Sequence, residues 1–182
     1  MGIQRYLTTI GSAALLASAL SLPAAAELAR ATLKDGSGKA VGEVDLSQTP
    51  SGVLLRVSVK DLSPGEHAFH IHEVGRCEPP FASAGGHFNP GHYPHGYLSG
   101  EGHAGDMPNL YVPQNGTLAV DVMNSKVTLE KGKPNSLFGN NGTSIVIHAK
   151  ADDYKSQPAG AAGDRIACGV ILENGNGNSP KK

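Results

Sequence analysis

The sequence predicts an antiparallel all-β domain, a sandwich or flattened barrel of about eight strands. Three observations carry that prediction. Apolar and polar residues alternate with period two in several short runs, Gly and Pro supply 24 and 12 of the 182 residues and fall between those runs, and no helical periodicity is sustained. A long helical bundle or coiled coil is thereby excluded.

Taken in chain order, the first element stands outside the fold. Arg5 precedes an apolar stretch from Leu7 to Leu22, and Ala24, Ala25 and Ala26 give a small-residue cleavage pattern, so residues 1–26 read as a secretory signal peptide. The other reading is an N-terminal core helix. The stretch is apolar all round and stops at Pro23, which favours the leader. The domain then spans 27–175, and residues 176–182, rich in Asn and Gly and ending in two lysines, form a solvated tail. Strands are predicted over 31–34, 41–46, 53–59, 68–72, 117–122, 144–148 and 166–172, each bounded by Gly, Pro, Asn or Asp. Val53, Leu55, Val57 and Val59 share one strand face, as do Ile145 and Ile147, the pattern of half-buried strands. Two segments refuse the alternation, 73–109 and 152–165. Long connections in a compact domain are functional or disordered, and the first holds Cys77, His87, His92, His95 and His103, so both are read as functional loops.

The net charge of −1 excludes the basic footprint of a nucleic-acid binder. No apolar run is long enough to span a bilayer, so no stable membrane anchor is expected once the leader is removed. Export to an oxidising compartment favours joining the only two cysteines, Cys77 and Cys168, over using them as thiolate metal ligands. Such a bridge contributes about 4–5 kcal/mol in the chain-entropy account.

The eight histidines need a separate explanation. In GEHAFHIHE, side chains two apart on a strand share a face, so His70 and His72 point one way, while His67, Phe69 and Ile71 point the other, with His67 making hydrogen bonds beneath the site. The following loop offers His87, His95, His103 and Asp106, three imidazoles and a carboxylate, a closed tetrahedral set suited to zinc. His70, His72 and His148 with one more nitrogen suit Cu(II). Two four-ligand sites need one more donor than these seven residues supply, so one must serve both. Imidazole can bridge through its two nitrogens, and His87, between the strand pair and the zinc-like loop, is the natural choice. His92 lies in the same loop and competes with His95 in the string HYPH.

The blocks GEHAFHIHE, GGHFNPGHYPHG, EGHAGDMPNL, IVIHAKADD and DRIACGV, in this order across nearly the whole mature chain, resemble those of bacterial periplasmic copper,zinc superoxide dismutases. The resemblance implies a Greek-key fold, superoxide as substrate, and one copper and one zinc ion per subunit. It implies copper on His70, His72, His87 and His148, and zinc on His87, His95, His103 and Asp106, with His95 chosen over His92. It also implies that Asp152 accepts hydrogen bonds from one copper and one zinc ligand, and that Cys77 and Cys168 are the family's disulfide pair. Arg165, otherwise readable as a solvated surface residue, is implied to orient the anion, with His87 carrying a proton. Asp164 departs from the small residue usual before that arginine. A carboxylate there could pair with Arg165 or weaken its field. A possible homodimer in the periplasm is the expected state. The competing reading is a periplasmic copper- and zinc-binding or metal-donating protein without turnover, which exposed Met ligands would favour. Met107 and Met123 form no cluster in the sequence.

Overall fold

The structure is a computed structural model and describes Met1 and residues 28–174. Apart from Met1, the leader assigned to 1–26 lies outside the described residues, as does the tail assigned to 176–182. The strands are β1 (Leu28–Asp35), β2 (Ala40–Thr49), β3 (Gly52–Val59), β4 (Gly65–His67), β5 (Phe69–His72), β6 (Leu110–Val112), β7 (Leu118–Asn124), β8 (Ser144–His148), β9 (Arg165–Val170) and β10 (Leu172–Glu173). One curled sheet runs β5-β8-β9-β1-β2-β3-β7, with β10 also on β1, and β4 pairs with β6 in a second, two-stranded sheet. Every named pairing is antiparallel.

Alternation builds the core. Ala29, Ala31 and Leu33 of β1 and Val53, Leu55, Val57 and Val59 of β3 are buried. The outward face carries a row of charge. Arg30, Asp45, Arg56 and Asp121 face one another in register across β1, β2, β3 and β7, and Arg30 Nε lies 2.6 Å from Asp45 Oδ1. This solvated face leaves the chemistry to the other end of the sheet.

The structure departs from strict alternation at three places. In β2, Leu33 faces Gly42 and Lys34 faces Ala40, so Val41 is an extra residue. That bulge turns Val41 into the core together with Val44 and Leu46, where unbroken alternation would have grouped Val41 with Glu43. β8 is buried on both faces, not one. Ile145 and Ile147 join the main core, while Val146 packs with Phe81, Ala84 and Cys168 in a small second cluster. The third departure is at Ile171, whose N–H turns to Thr143 O and separates β9 from β10. β4 and β6 are three residues long, too short for a periodic signal.

Cys77 and Cys168 form a disulfide with Cα atoms 5.6 Å apart and a sequence separation of 91. It ties the 73–109 loop to β9. A third long connection, 125–143, is structural, because it buries Val127, Leu129 and Leu137 in the main core.

Candidate metal centre

The β5 edge of the sheet is covered by its own loop. Ile71 N–H donates to Gly105 O (2.9 Å), Phe88 N–H to Ile71 O (2.8 Å), and Glu73 N–H to Gly86 O (3.0 Å). These backbone bonds satisfy the unpaired strand edge and place His87 opposite His72 and Asp106 opposite His70. At the far end of the adjacent β8, His148 N–H bonds Ala68 O at 2.9 Å. Gly96 and Gly160, both at positive φ, let the two loops meet. A Cβ on Gly96 would collide with Tyr154 O, and one on Gly160 would collide with Asp152 Oδ1.

Seven side chains converge into two groups, His70, His72, His87 and His148, and His87, His95, His103 and Asp106. Within each group the candidate ligand atoms lie within 4.8 Å of one another, and all seven residues are buried. The outer nitrogen of most rings has a fixed acceptor. His72 Nδ1 donates to Gly85 O (3.0 Å), His148 Nδ1 to Gly163 O (3.3 Å), His70 Nε2 to Asp152 Oδ2 (2.8 Å) and His95 Nε2 to Asp152 Oδ1 (3.0 Å). In His70, His72 and His148 a proton on the outer nitrogen leaves the inner one with a bare lone pair, whereas the inner Nδ1 of His95 meets Asp106 Oδ1 at 3.0 Å.

Several inward nitrogens are a poor fit to any protein partner. His70 Nδ1, His87 Nε2 and His103 Nδ1 are buried without a hydrogen bond, and His72 Nε2 faces His148 Nε2 at 3.4 Å. Buried polar atoms are ordinarily satisfied, and converging lone pairs are satisfied by a cation. Nitrogens alone in the first group suit copper, and three nitrogens with a carboxylate in the second suit zinc. His87 differs from the other six. Its Nδ1 lies 2.9 Å from Asp106 Oδ1 in the second group, while its Nε2 is aimed into the first.

The electrostatics favour neutral imidazoles at His72, His87 and His148. Burial lowers His87 to about 4, against the opposing effect of its hydrogen bond to Asp106, and burial with the neighbouring His70 lowers His148 to about 3. Burial also holds His72 well below its ordinary value. Burial would lower His95 too, but hydrogen bonds to Asp106 and Asp152 outweigh it and raise this ring to about 9. Burial opposes ionisation of Asp106 and Asp152, yet hydrogen bonds from the histidines hold both carboxyls below the usual carboxylate range. With no metal bound, His95 is thus a cation between two carboxylates at neutral pH. A metal ion that takes its Nδ1 releases a proton.

Arg165 borders the first group. Its Nη1 donates to Phe81 O (2.6 Å) and its Nη2 to Gly85 O (2.7 Å), and its charge acts on both His72 and His148. Asp164 is exposed and forms no ion pair with Arg165 among the described residues, because the guanidinium is committed to the two carbonyls. His67 is buried beneath the site, with Nδ1 2.8 Å from His148 O and Nε2 2.8 Å from Ser63 O. His92 is exposed, sits at φ 54 and joins neither group.

Sequence reasoning missed the residues that brace the two loops. Asn109 Nδ2 donates to Asp152 O (3.0 Å) while Asp152 N–H donates to Asn109 Oδ1 (2.8 Å), and Gln157 forms the same reciprocal pair with the backbone of His95. Tyr97 Oη donates to Asp106 O at 2.9 Å. The two amide pairs join positions far apart in the chain, and only a loop amide without a local partner could have hinted at them. One measurement separates the two loop histidines. His95→Ala loses bound zinc, whereas His92→Ala retains it, as read by metal analysis after dialysis; zinc lost from the His92 variant alone would reverse the assignment.

The sequence profile described as copper/zinc superoxide dismutase (SODC) matches residues 40–171. Cu-Zn superoxide dismutase 1 of Aquifex aeolicus is 52% identical over 162 residues, covering 87% of this chain and 96% of that protein. The Cu-Zn superoxide dismutase of Caulobacter vibrioides is 43% identical over 148 residues, covering 79% of this chain and 84% of its own length. Among solved structures, the SOD-like protein of Bacillus subtilis superposes with a TM-score of 0.76 at 38% identity, covering 79% of this chain and 97% of that one. The Cu/Zn superoxide dismutase of Brucella abortus superposes with a TM-score of 0.66 at 30% identity, covering 80% of this chain and all of that one.

Proposed function

The chain belongs to the copper/zinc superoxide dismutase family, and from that premise we infer how its residues divide the reaction. The protein is an oxidoreductase that dismutates superoxide to dioxygen and hydrogen peroxide and uses copper and zinc as cofactors. We assign copper to His70, His72, His87 and His148, and zinc to His87, His95, His103 and Asp106, one ion of each per subunit. The observation that carries the assignment is His87, which gives one ring nitrogen to each group.

Copper bound there supplies a one-electron couple that one superoxide reduces and the next reoxidises, while zinc supplies a fixed positive charge that does not change valence. The remaining steps fall to side chains. Arg165, which stays protonated, attracts the anion and orients it beside the first group. His87 Nε2 is the proton site. It takes a proton as the first superoxide leaves as dioxygen, then passes it to the second, which gains another from water and leaves as hydrogen peroxide. His87 Nδ1 stays anchored on the Asp106 side throughout. Asp152, bonded to a ring of each group, holds both rings with their lone pairs inward.

The test is the rate of superoxide loss catalysed by protein loaded with both metals, beside protein stripped of copper. Turnover that follows copper occupancy supports the dismutase, and a loaded protein no faster than free buffer would leave only the metal-donating reading. The methionines do not favour that alternative. Met107 is buried, and Met123 stands apart on β7 with its sulfur 4.0 Å from Thr49 Oγ1.

The Asp164 carboxylate stands one residue from Arg165 with no ion-pair partner among the described residues, so it reduces the local positive potential. Asp164→Ala raises the rate at low salt about twofold, an effect that fades as the Debye length shrinks. An unchanged rate and salt slope would remove Asp164 from the steering field.

We place the mature protein in the periplasm. The disulfide between Cys77 and Cys168 supports an oxidising compartment, and recovery of a chain starting at Glu27 from that fraction tests it. A homodimer, the commonest closed assembly of soluble chains, is the proposed state, to be read by sedimentation.

A further inference from the structure

Two consecutive glycines precede the bridging histidine, and the peptide between them is held at both ends. Its carbonyl, Gly85 O, accepts from His72 Nδ1 at 3.0 Å and from Arg165 Nη2 at 2.7 Å. Its N–H, on Gly86, donates to Glu73 Oε1 at 3.0 Å. Glu73 also donates its own N–H to Gly86 O at 3.0 Å. The side chain folds tightly over the turn, since a Cβ on Gly85 would meet Glu73 Cγ at 2.9 Å and Oε1 at 3.0 Å. Glu73 forms no ion pair among the described residues, so this peptide is the partner of its carboxylate.

We infer that Glu73 is a positioning residue for the reaction, acting through the Gly85–Gly86 peptide on both His72 and Arg165. The inference rests on the copper assignment for the group that contains His72. The physical reason is that a peptide unit is planar, so its N–H and C=O turn together. Two glycines in succession leave that plane free to rotate. Anchoring the N–H to a carboxylate fixes the direction of the carbonyl, and with it the plane of the His72 ring and the aim of the guanidinium. The bond to Glu73 is charge-assisted, and polarisation along the chain makes Gly85 O a stronger acceptor. A stronger acceptor at Nδ1 makes His72 Nε2 a better electron donor to a metal ion.

The experiment compares Glu73→Ala, which removes the acceptor, with Glu73→Gln, which keeps an oxygen in place of Oε1. In the metal-free protein, Gly86 amide hydrogen exchange quickens about tenfold in Glu73→Ala, the change expected from losing one hydrogen bond of this kind, and returns close to the parent rate in Glu73→Gln. With copper and zinc loaded, Glu73→Ala changes the Cu(II) spin-resonance spectrum and weakens azide binding about threefold or more, as loss of a hydrogen bond that orients a ligand and an anion-binding arginine requires. Glu73→Gln restores both. Unchanged Gly86 exchange in Glu73→Ala overturns the clamp. Unchanged spectrum and azide affinity, or a glutamine variant that behaves like the alanine variant, overturns its link to the site. A parent protein that takes up no copper would instead defeat the metal assignment, and Gly86 exchange would still decide the clamp.

Discussion

Replacing His87 with alanine lowers the dismutation rate by at least about a hundredfold, the scale of a lost proton-transfer group, and uncouples the two metal sites. Among the described residues the ring is the single side chain that belongs to both groups, so its removal leaves three donors on either side. No neighbour replaces it as proton carrier. His70, the nearest ring at 4.0 Å between centroids, already gives Nε2 to Asp152. The uncoupling has its own readout. In the parent protein, withdrawing zinc changes the Cu(II) spectrum, because one imidazole senses both ions. In His87→Ala that response disappears. Activity above half the parent value, or a spectrum that still answers to zinc, would remove His87 from the bridging role.

Asp152→Ala weakens metal binding at both sites by about 10–100-fold each, the usual cost of losing the group that orients a ligating ring. Both oxygens of this buried carboxylate are in use. Oδ2 accepts from His70 Nε2 at 2.8 Å, and Oδ1 accepts from His95 Nε2 at 3.0 Å and from Tyr154 N–H at 2.6 Å. Alanine strands the two ring N–H groups in a dry interior and lets the rings rotate or change tautomer. Asp152→Asn recovers only part of the loss, because the amide offers one oxygen to two donor rings and turns an NH2 toward the other. Competition with a chelator of known affinity measures both constants. An alanine variant weakened for one metal alone would show that the carboxylate serves a single site.

Some features were legible in the chain because they depend on residue type and short spacing. The His-x-His pair in β5 shares a face through strand geometry alone, and counting donors requires one shared ligand, so two candidate groups sharing His87 could be proposed without coordinates, with His95 preferred to His92 through the family resemblance. Val53 to Val59 alternate because one side of β3 is wet. The same logic failed at β8. A strand covered on its second side by Phe81 and the disulfide loop shows no polar alternation to mark that cover. It failed again at Val41, where one bulged residue reverses the phase.

Composition and periodicity therefore determined the fold class, cysteine counting the disulfide, and donor chemistry together with the family resemblance nominated the seven candidate ligands, because each is read from residue type and short spacing. The tertiary structure decided which rings Asp152 aims, His70 and His95, and it placed Gly85 O between His72 and Arg165 with Glu73 behind that carbonyl. Hydrogen bonds act over about 3 Å in space and carry no signature along a chain. Partners separated by 82 positions, as His70 and Asp152 are, become neighbours only once the strands are paired.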